Sequence, residues 1–444
     1  MGKAFPKVSI FQFLRSALSI LKNPLPFHHR NFESKGNTFQ LKIGFTRSVL
    51  FSRDAHFAQH ALQKNQKKYQ KSPIQTRDLA KYVGQGLLTA NGKHWAKQRK
   101  LIQPAFQKKT LHGLLQKVDE VIQKELVKIE TGKAFDIFPI FNDLAFNTVV
   151  QALFSNVIDQ KAINRLQHIT ESNQRMMVKE LRQPYLNWWF HVSGALKSAL
   201  KQSLEARQIL SKLIDDRIAS GIRHDDLLDM LLDARYEDDT PMSREQLIDE
   251  ILILFIAGHE TTSNALTFTA ALLARNPEVQ DKLYAESLAA DNEVDLLEKI
   301  KTLKYTNQVV NEAMRLYPPA YFIDRISIEK DQFDDFEIEA GTNILFSIFE
   351  IHRHTDFWER PEEFNPDRFA DDSLKYSPYY YPFGAGPRMC IGNNFAMYEM
   401  ILTVSHLVKK FKIKKETAPI AINPLITLKP KDVLLTFTPR DFEY

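Results

Sequence analysis

The 444-residue chain contains a single cysteine, Cys390, a scarcity that excludes both an intramolecular disulfide framework and a cysteine-ligated iron–sulfur cluster. Long apolar runs are also missing. The most hydrophobic N-terminal stretch, residues 8–21, is interrupted by Arg15 and falls short of the ~20 residues that a membrane span needs. Lys3 precedes that stretch, but no small-residue cleavage site follows before Pro24, which argues against a secretory signal. Pro6 stands where a myristoylation signal would carry Ser or Thr. The expectation is a cytoplasmic protein without a transmembrane anchor, with peripheral membrane contact by this segment as the one way it would meet a bilayer. Strong charge is lacking too. A formal net charge of +5 without a concentrated basic stripe speaks against a nucleic-acid binder. Low-complexity tracts, internal repeats and linkers are absent, so composition marks no domain boundary.

What is present concentrates around the cysteine. Residues 383–392 read F-G-A-G-P-R-M-C-I-G. A lone cysteine is ordinarily a small buried hydrophobe, but here three glycines, Phe383, Pro387 and Arg388 surround it at fixed offsets. Glycine is costly unless the backbone needs a tight turn or a close approach. Such a loop can present a thiolate to a flat cofactor, with backbone N–H groups stabilising the charge on sulfur. The decapeptide resembles the haem-binding loop of the cytochrome P450 family, F-G-x-G-x-R-x-C-x-G, with every fixed position filled. A chance match is on the order of one in ten million or rarer per window. By this resemblance Cys390 is the thiolate ligand of haem iron, Phe383 packs beside it, and Arg388 reaches a haem propionate. The resemblance runs from about residue 35 to the C-terminus. It implies a mainly α, single-domain P450 fold with small β-sheets, haem b lying between a long central helix and the cysteine-loop helix. Residues 1–35 are then an N-terminal lead-in and residues 36–444 the haem domain.

Further motifs take their roles from the same resemblance. Residues 36–53 alternate apolar and polar side chains about a turn-prone Gly44 and predict a β-hairpin. Trp95 and Arg99 are four apart and share a helical face; the family uses such a pair, with His94 beside it, as propionate donors. Residues 93–109 hold six Lys or Arg side chains and no acid, either a solvated face or the docking face for an acidic ferredoxin. The aromatic run Tyr185 to Phe190 falls where the family has a mobile lid. Residues 72–92 correspond to a flexible segment over the distal pocket.

Ser243 to Arg275 predicts one long helix, opened by the capping box Ser243-x-x-Gln246 and stopped by Asn276-Pro277. At its centre, Ala257-Gly258-His259-Glu260-Thr261-Thr262 is poor in helix propensity, which points to a use other than helix stability. The segment resembles the family's oxygen-activation motif. Ala257 and Gly258 would line the cofactor, Thr261 would hydrogen-bond dioxygen and relay protons, and Glu260 would connect that relay to solvent. Glu312 and Arg315 match the family's E-x-x-R signature and, with Arg368, imply a buried structural ion-pair network. Ala320, Tyr321, Phe322 and Ile426 correspond to substrate-pocket positions, and Arg325 to a further propionate ligand.

The resemblance thus implies a monomeric haem-thiolate monooxygenase that hydroxylates a C–H bond of a small molecule. No flavin domain or iron–sulfur motif is present, so the electrons are expected from a separate ferredoxin and its NAD(P)H-dependent ferredoxin reductase. From the general run of the chain the substrate expectation is oxidative O-demethylation of 6-O-methyl-D-galactose to galactose and formaldehyde. The alternative is hydroxylation of a fatty acid, terpene or other lipophile. A peroxide-using or rearranging enzyme is disfavoured by the intact Glu260-Thr261 pair, and a non-catalytic haem sensor by the lack of an output module.

Overall fold

The computed structural model describes residues 3–43, 47–155 and 159–440. Among the described residues the chain is mainly helical, with four small sheets. The long helix forms as its sequence predicts, over Arg244–Arg275. Ser243 caps it by accepting from the Gln246 N–H at 3.2 Å. The capping box is only half made, because the Gln246 side chain reaches away to the Gln85 carbonyl and to Glu250. Asn276 ends the helix, its amide donating back to the Leu272 carbonyl at 2.8 Å just before Pro277.

This helix is the axis of the main core. It lies against the helix Phe138–Phe154, where Phe146 and Phe154 stack on Phe255 with centroids 5.7 and 5.9 Å apart. The two backbones cross closely at Gly258, where a Cβ would come within 2.8 Å of Val149 Cγ2. Gly258 was expected on the cofactor side, so its place is corrected: the missing side chain makes room for the neighbouring helix. The helix Asn393–Lys410, which follows the cysteine loop, packs into the same core through Met400, Ile401, Leu402 and Val404.

The largest sheet has the strand order Lys7–Val8, Thr38–Ile43, Arg47–Ser52, Asn343–Ser347, Phe322–Ser327, Tyr69–Gln70. The hairpin expected over 36–53 is its second and third strands, paired antiparallel from Thr38↔Ser52 to Ile43↔Arg47; Gly44 lies outside the described residues. Residues 7–35 are more than a lead-in. Lys7–Val8 pairs parallel with Gln40–Leu41, and the helix Leu25–Lys35 buries Leu25, Phe27 and Phe32. Residue 36 is therefore no boundary in the packing. Among the described residues no helix is long and apolar enough to cross a membrane.

Candidate functional site

The cysteine loop is shaped by glycines at positive φ. Gly384 has φ +72° and Gly386 φ +67°, and a Cβ at Gly386 would lie 1.9 Å from the Leu62 carbonyl oxygen, so no larger residue fits without moving backbone. The Cys390 N–H closes the loop on the Phe383 carbonyl at 2.9 Å. Cys390 is closely surrounded by protein atoms and yet keeps accessible surface, as a residue beside an internal slot does. Ala257 opens in the same way, although Phe255 and His259 on either side of it are buried. Burial pushes the thiol pKa up, while the Gly392 N–H, Arg99 and Lys71 pull it down.

Cations gather around this slot. Arg388 donates to the Ala90 carbonyl at 2.9 Å and to Asn91 Oδ1 at 3.1 Å, and its guanidinium lies 3.8 Å from the centroid of the Trp95 ring. Arg99 donates to the Met389 carbonyl at 2.9 Å, so Trp95 and Arg99 both reach the cysteine loop from the helix Gly92–Ile102. His94 has Nε2 3.4 Å from the Gln85 carbonyl oxygen. Arg325 is buried and uses one N–H on its neighbour's Asp324 carbonyl at 2.7 Å. Lys71, which no sequence motif singled out, is buried among them; burial first, then Arg325 and Arg388, bring its pKa down to about 7. Arg388 is likewise brought down to about 9 by burial, Arg325 and Arg99. Four cations facing one another around a slot are unfavourable without anions between them. A thiolate for iron, with guanidinium, ammonium and indole donors for two carboxylates, is the donor set that haem b requires.

Thr261 Oγ1 donates to the Ala257 carbonyl at 2.7 Å, a back-bond along the long helix that leaves the hydroxyl oxygen able to accept. Glu260 is half-buried beside it. The segment expected over the pocket is latched to the same helix by two carboxylates that the sequence did not reveal. Asp249 accepts the Gln85 N–H at 2.7 Å and pairs with Arg207. Glu250 accepts the Leu87 N–H at 3.0 Å; burial, with the like charge of Asp249 adding, raises its pKa to about 7. Gly86 permits this approach, since a Cβ there would lie 2.6 Å from Glu250 Oε2.

The expected pocket residues separate. Ala320 is exposed and Ile426 partly so, at the turn joining Ile422–Pro424 to Leu428–Pro430. Asn264 holds that turn to the long helix through Thr427 Oγ1 at 3.1 Å. Tyr321 is buried in an apolar cluster with its hydroxyl donated to the Leu425 carbonyl at 2.6 Å. Phe322 turns its ring to His28 and Phe51, centroids 5.2 and 6.5 Å away, and so faces the sheet cluster rather than the slot. Its strand neighbour Ile323 points to the other face, 3.6 Å from the position of a Cβ on Gly384.

Behind the loop, Glu312 and Arg315 are fully buried and bidentate at 2.7 and 2.9 Å, with Arg368 Nε 3.4 Å from Glu312. The link from this pair to the cysteine loop is His352. It accepts the Arg315 guanidinium on its carbonyl at 2.9 Å, holds Nδ1 3.2 Å from the Arg315 carbonyl, and takes the Tyr381 N–H on Nε2 at 2.7 Å. Burial and Arg315 bring the His352 pKa down to about 3, which keeps the ring neutral and fits Nδ1–H as donor and Nε2 as acceptor.

The comparisons agree with this geometry. The sequence model for "Cytochrome P450" matches residues 6–437. Among curated proteins, the chain is 32% identical to cytokinin hydroxylase of Arabidopsis thaliana over 392 residues, which is 84% of this chain and 75% of that one. It is 26% identical to cyclooctat-9-en-7-ol 5-monooxygenase of Streptomyces melanosporofaciens over 407 residues, 90% of this chain and 87% of that one. Among solved structures, the cytochrome P450DA heme domain superposes with a TM-score of 0.87 at 21% identity, covering 99% of both chains. With a cysteine loop, a cationic surround and a hydroxyl-bearing central helix placed as above, this chain belongs to the cytochrome P450 family and is a P450 monooxygenase.

Proposed function

We propose that this monooxygenase hydroxylates a C–H bond of a small lipophilic molecule, with a separate ferredoxin and its NAD(P)H-dependent reductase as electron source. The observation that carries the substrate class is the Tyr321 hydroxyl. It is donated to the Leu425 carbonyl, so the one phenol expected at the pocket has no proton left for a polar substrate, and its ring sits among apolar neighbours. A site meant to recognise a sugar would keep such donors free. Demethylation of 6-O-methyl-D-galactose is the second reading, favoured by the exposed Trp188 and Trp189 at the lid, whose rings can stack on the C–H face of a sugar.

Cys390 would hold haem b through its iron and Arg388, Arg99, Arg325, Trp95 and Lys71 would bind its propionates; so held, the group would supply the activation of dioxygen. The chain's own part is positioning and proton delivery. Thr261 Oγ1 holds its proton on the Ala257 carbonyl and can exchange donor for acceptor, while Glu260, half-buried one residue away, carries protons in from solvent. Gly384 and Gly386 fix the direction of the thiolate, and the Asp249 and Glu250 latch keeps residues 84–90 over the pocket.

The basic face is the donor's docking surface, in a reduced form. Lys97 lies 3.8 Å from the Tyr236 ring centroid and Lys100 pairs with Glu237, which leaves Lys93, Lys108 and Lys109 as the cations for an acidic partner. The test is a spin-state titration of the haem-loaded protein with a medium-chain fatty acid, a monocyclic terpene and 6-O-methylgalactose. A low-to-high-spin shift with either lipophile alone supports the first reading. A shift with the sugar alone overturns it.

A further inference from the structure

The helix Gly92–Ile102 carries Lys93, Lys97 and Lys100 on one exposed stripe, since residues three and four apart share a helical face. The same helix reaches the cysteine loop through Arg99. Another part of the chain covers the second half of this stripe. After the helix Leu227–Asp233, residues 235–241 turn back on themselves: Arg235 bridges Pro241, the Tyr236 N–H donates to the Thr240 carbonyl at 2.9 Å, and Asp239 sits at φ +63°. The tip of this strap is Glu237-Asp238-Asp239, three exposed acids in a row.

The strap takes up the cations it covers. Lys97 lies 3.8 Å from the centroid of the Tyr236 ring, Gln98 donates to the Tyr236 hydroxyl at 2.7 Å, and Lys100 pairs with Glu237. That pairing holds the Glu237 carboxyl below its ordinary pKa. The hold on the strap is weak. Lys100 and Glu237 are 74% and 81% exposed, and exposed ion pairs contribute little. A cavity of about 890 Å³ opens between strap and helix, with Ala96, Leu101 and Pro104 on one wall and Met230 and Ala234 on the other. Polar and cation–π contacts, more than close packing, keep the strap in place.

We propose that the strap is a built-in competitor for the electron donor: it occupies Lys97 and Lys100, so that an acidic ferredoxin gains these two cations only by displacing it. This rests on the reading of the basic face as the donor's docking surface. The chemistry makes the cover replaceable. A carboxylate on the strap and one on a ferredoxin make the same bond to an ammonium group, and the strap, tethered beside it, is present at high effective concentration. The partner wins by number, because it meets the exposed Lys93, Lys108 and Lys109 at the same time. A turnover takes two electrons and such a ferredoxin carries one, so the spent donor has to leave between them. A cover that closes again over its contacts speeds that exchange.

The experiment is calorimetric titration of the haem-loaded full chain with an acidic 2Fe–2S ferredoxin at low salt, repeated at rising salt. Glu237→Gln should tighten binding about two- to five-fold, the contribution of an exposed ion pair. Tyr236→Leu, which changes no charge, should tighten it about two-fold by releasing Lys97. Both should steepen the salt dependence, since more cations are then free for the partner. In a Lys100→Ala background Glu237→Gln should bring no gain, because the cation that it would release is gone. The proposal is overturned by a folded variant of either kind that binds no more tightly than wild type, or by a gain from Glu237→Gln that persists without Lys100 and so reflects only the general field. Charge reversal at Lys93, Lys108 and Lys109 tests the reading beneath it. If that change leaves binding untouched, the face is no docking surface and the proposal falls with it. If it weakens binding while Glu237→Gln changes nothing, the docking surface stands and the strap alone is refuted.

Discussion

Replacing Glu312 by Gln should cost this protein a large part of its stability. Arg315 is fully buried and all five of its N–H groups are used: two on Glu312, and the rest on the carbonyls of His352, Pro361 and Glu363 at 2.9, 2.8 and 3.1 Å. Glu312 in turn accepts the Asn365 N–H at 2.9 Å and faces Arg368. Glutamine preserves the shape but removes the charge, and turns one acceptor into a donor that points at other donors. Stranding a buried guanidinium in this way costs ~3–5 kcal/mol, out of a total of about 5–15 kcal/mol for a folded domain. The assay is urea unfolding of the haem-loaded protein by far-UV circular dichroism, with midpoint and slope fitted separately. The Arg315→Met change combined with Glu312→Gln should return part of the loss, because no buried charge is then left unpaired. A loss below about 1 kcal/mol for Glu312→Gln alone, or a double variant as unstable as the sum of the singles, would refute the argument.

Four further outcomes follow from the geometry. Glu399 is fully buried against the Thr148 hydroxyl, and burial raises its pKa to about 8. The folded state therefore holds a proton that the unfolded chain releases near 4.5, and wild-type stability falls as pH rises through that window; Glu399→Gln should remove the slope and be more stable at pH above 8 by roughly 3–5 kcal/mol, measured by urea midpoints across pH. Thr261→Val should keep the thiolate spectrum while lowering product per electron pair roughly ten-fold or more, measured as product against reducing equivalents consumed. Gly386→Ala forces a side chain onto the Leu62 carbonyl at positive φ, with ~1–3 kcal/mol of backbone strain before the clash is counted, and should show as faster haem loss to apomyoglobin. Charge reversal at Lys93, Lys108 and Lys109 should raise the KM for an acidic ferredoxin and flatten its salt dependence while leaving substrate-induced spin shifts unchanged.

What the sequence made legible were the parts whose partners are neighbours in the chain. The cysteine loop is ten consecutive residues, and the Ala257 to Thr261 turn is one turn of one helix, so spacing alone displays them. The parts it hid bind distant backbone. Glu250 meets the Leu87 N–H, and His352 meets Tyr381 and Arg315. A backbone N–H or carbonyl has no residue-type signature, so no motif could announce these contacts. Gly258 was misplaced for a related reason: which face of a helix a glycine serves is decided by Val149 on another helix. Phe322 and Ile323 differ only in strand parity, and parity is set by the pairing with Asn343–Ser347.

These hidden contacts also tie stability to chemistry. Arg315 holds the His352 carbonyl, His352 holds the Tyr381 N–H, and the Tyr381 carbonyl holds the Gly384 N–H at 3.1 Å, inside the turn that aims the thiolate. The first two links join buried residues and the last ends on the half-buried Gly384; an unpaired donor in the buried part is costly and the arrangement resists drift. The ion pair behind the loop is then also a positioning device for Cys390. His352→Phe separates the two roles, since it leaves the Glu312 and Arg315 charges paired and cuts only the imidazole contacts to Tyr381 and to the Arg315 carbonyl. If the chain of bonds aims the thiolate, this variant should shift the ferrous–carbon monoxide Soret band toward that of a neutral-ligand form while losing less stability than Glu312→Gln. A normal thiolate band in the folded variant would confine the network to a purely structural role.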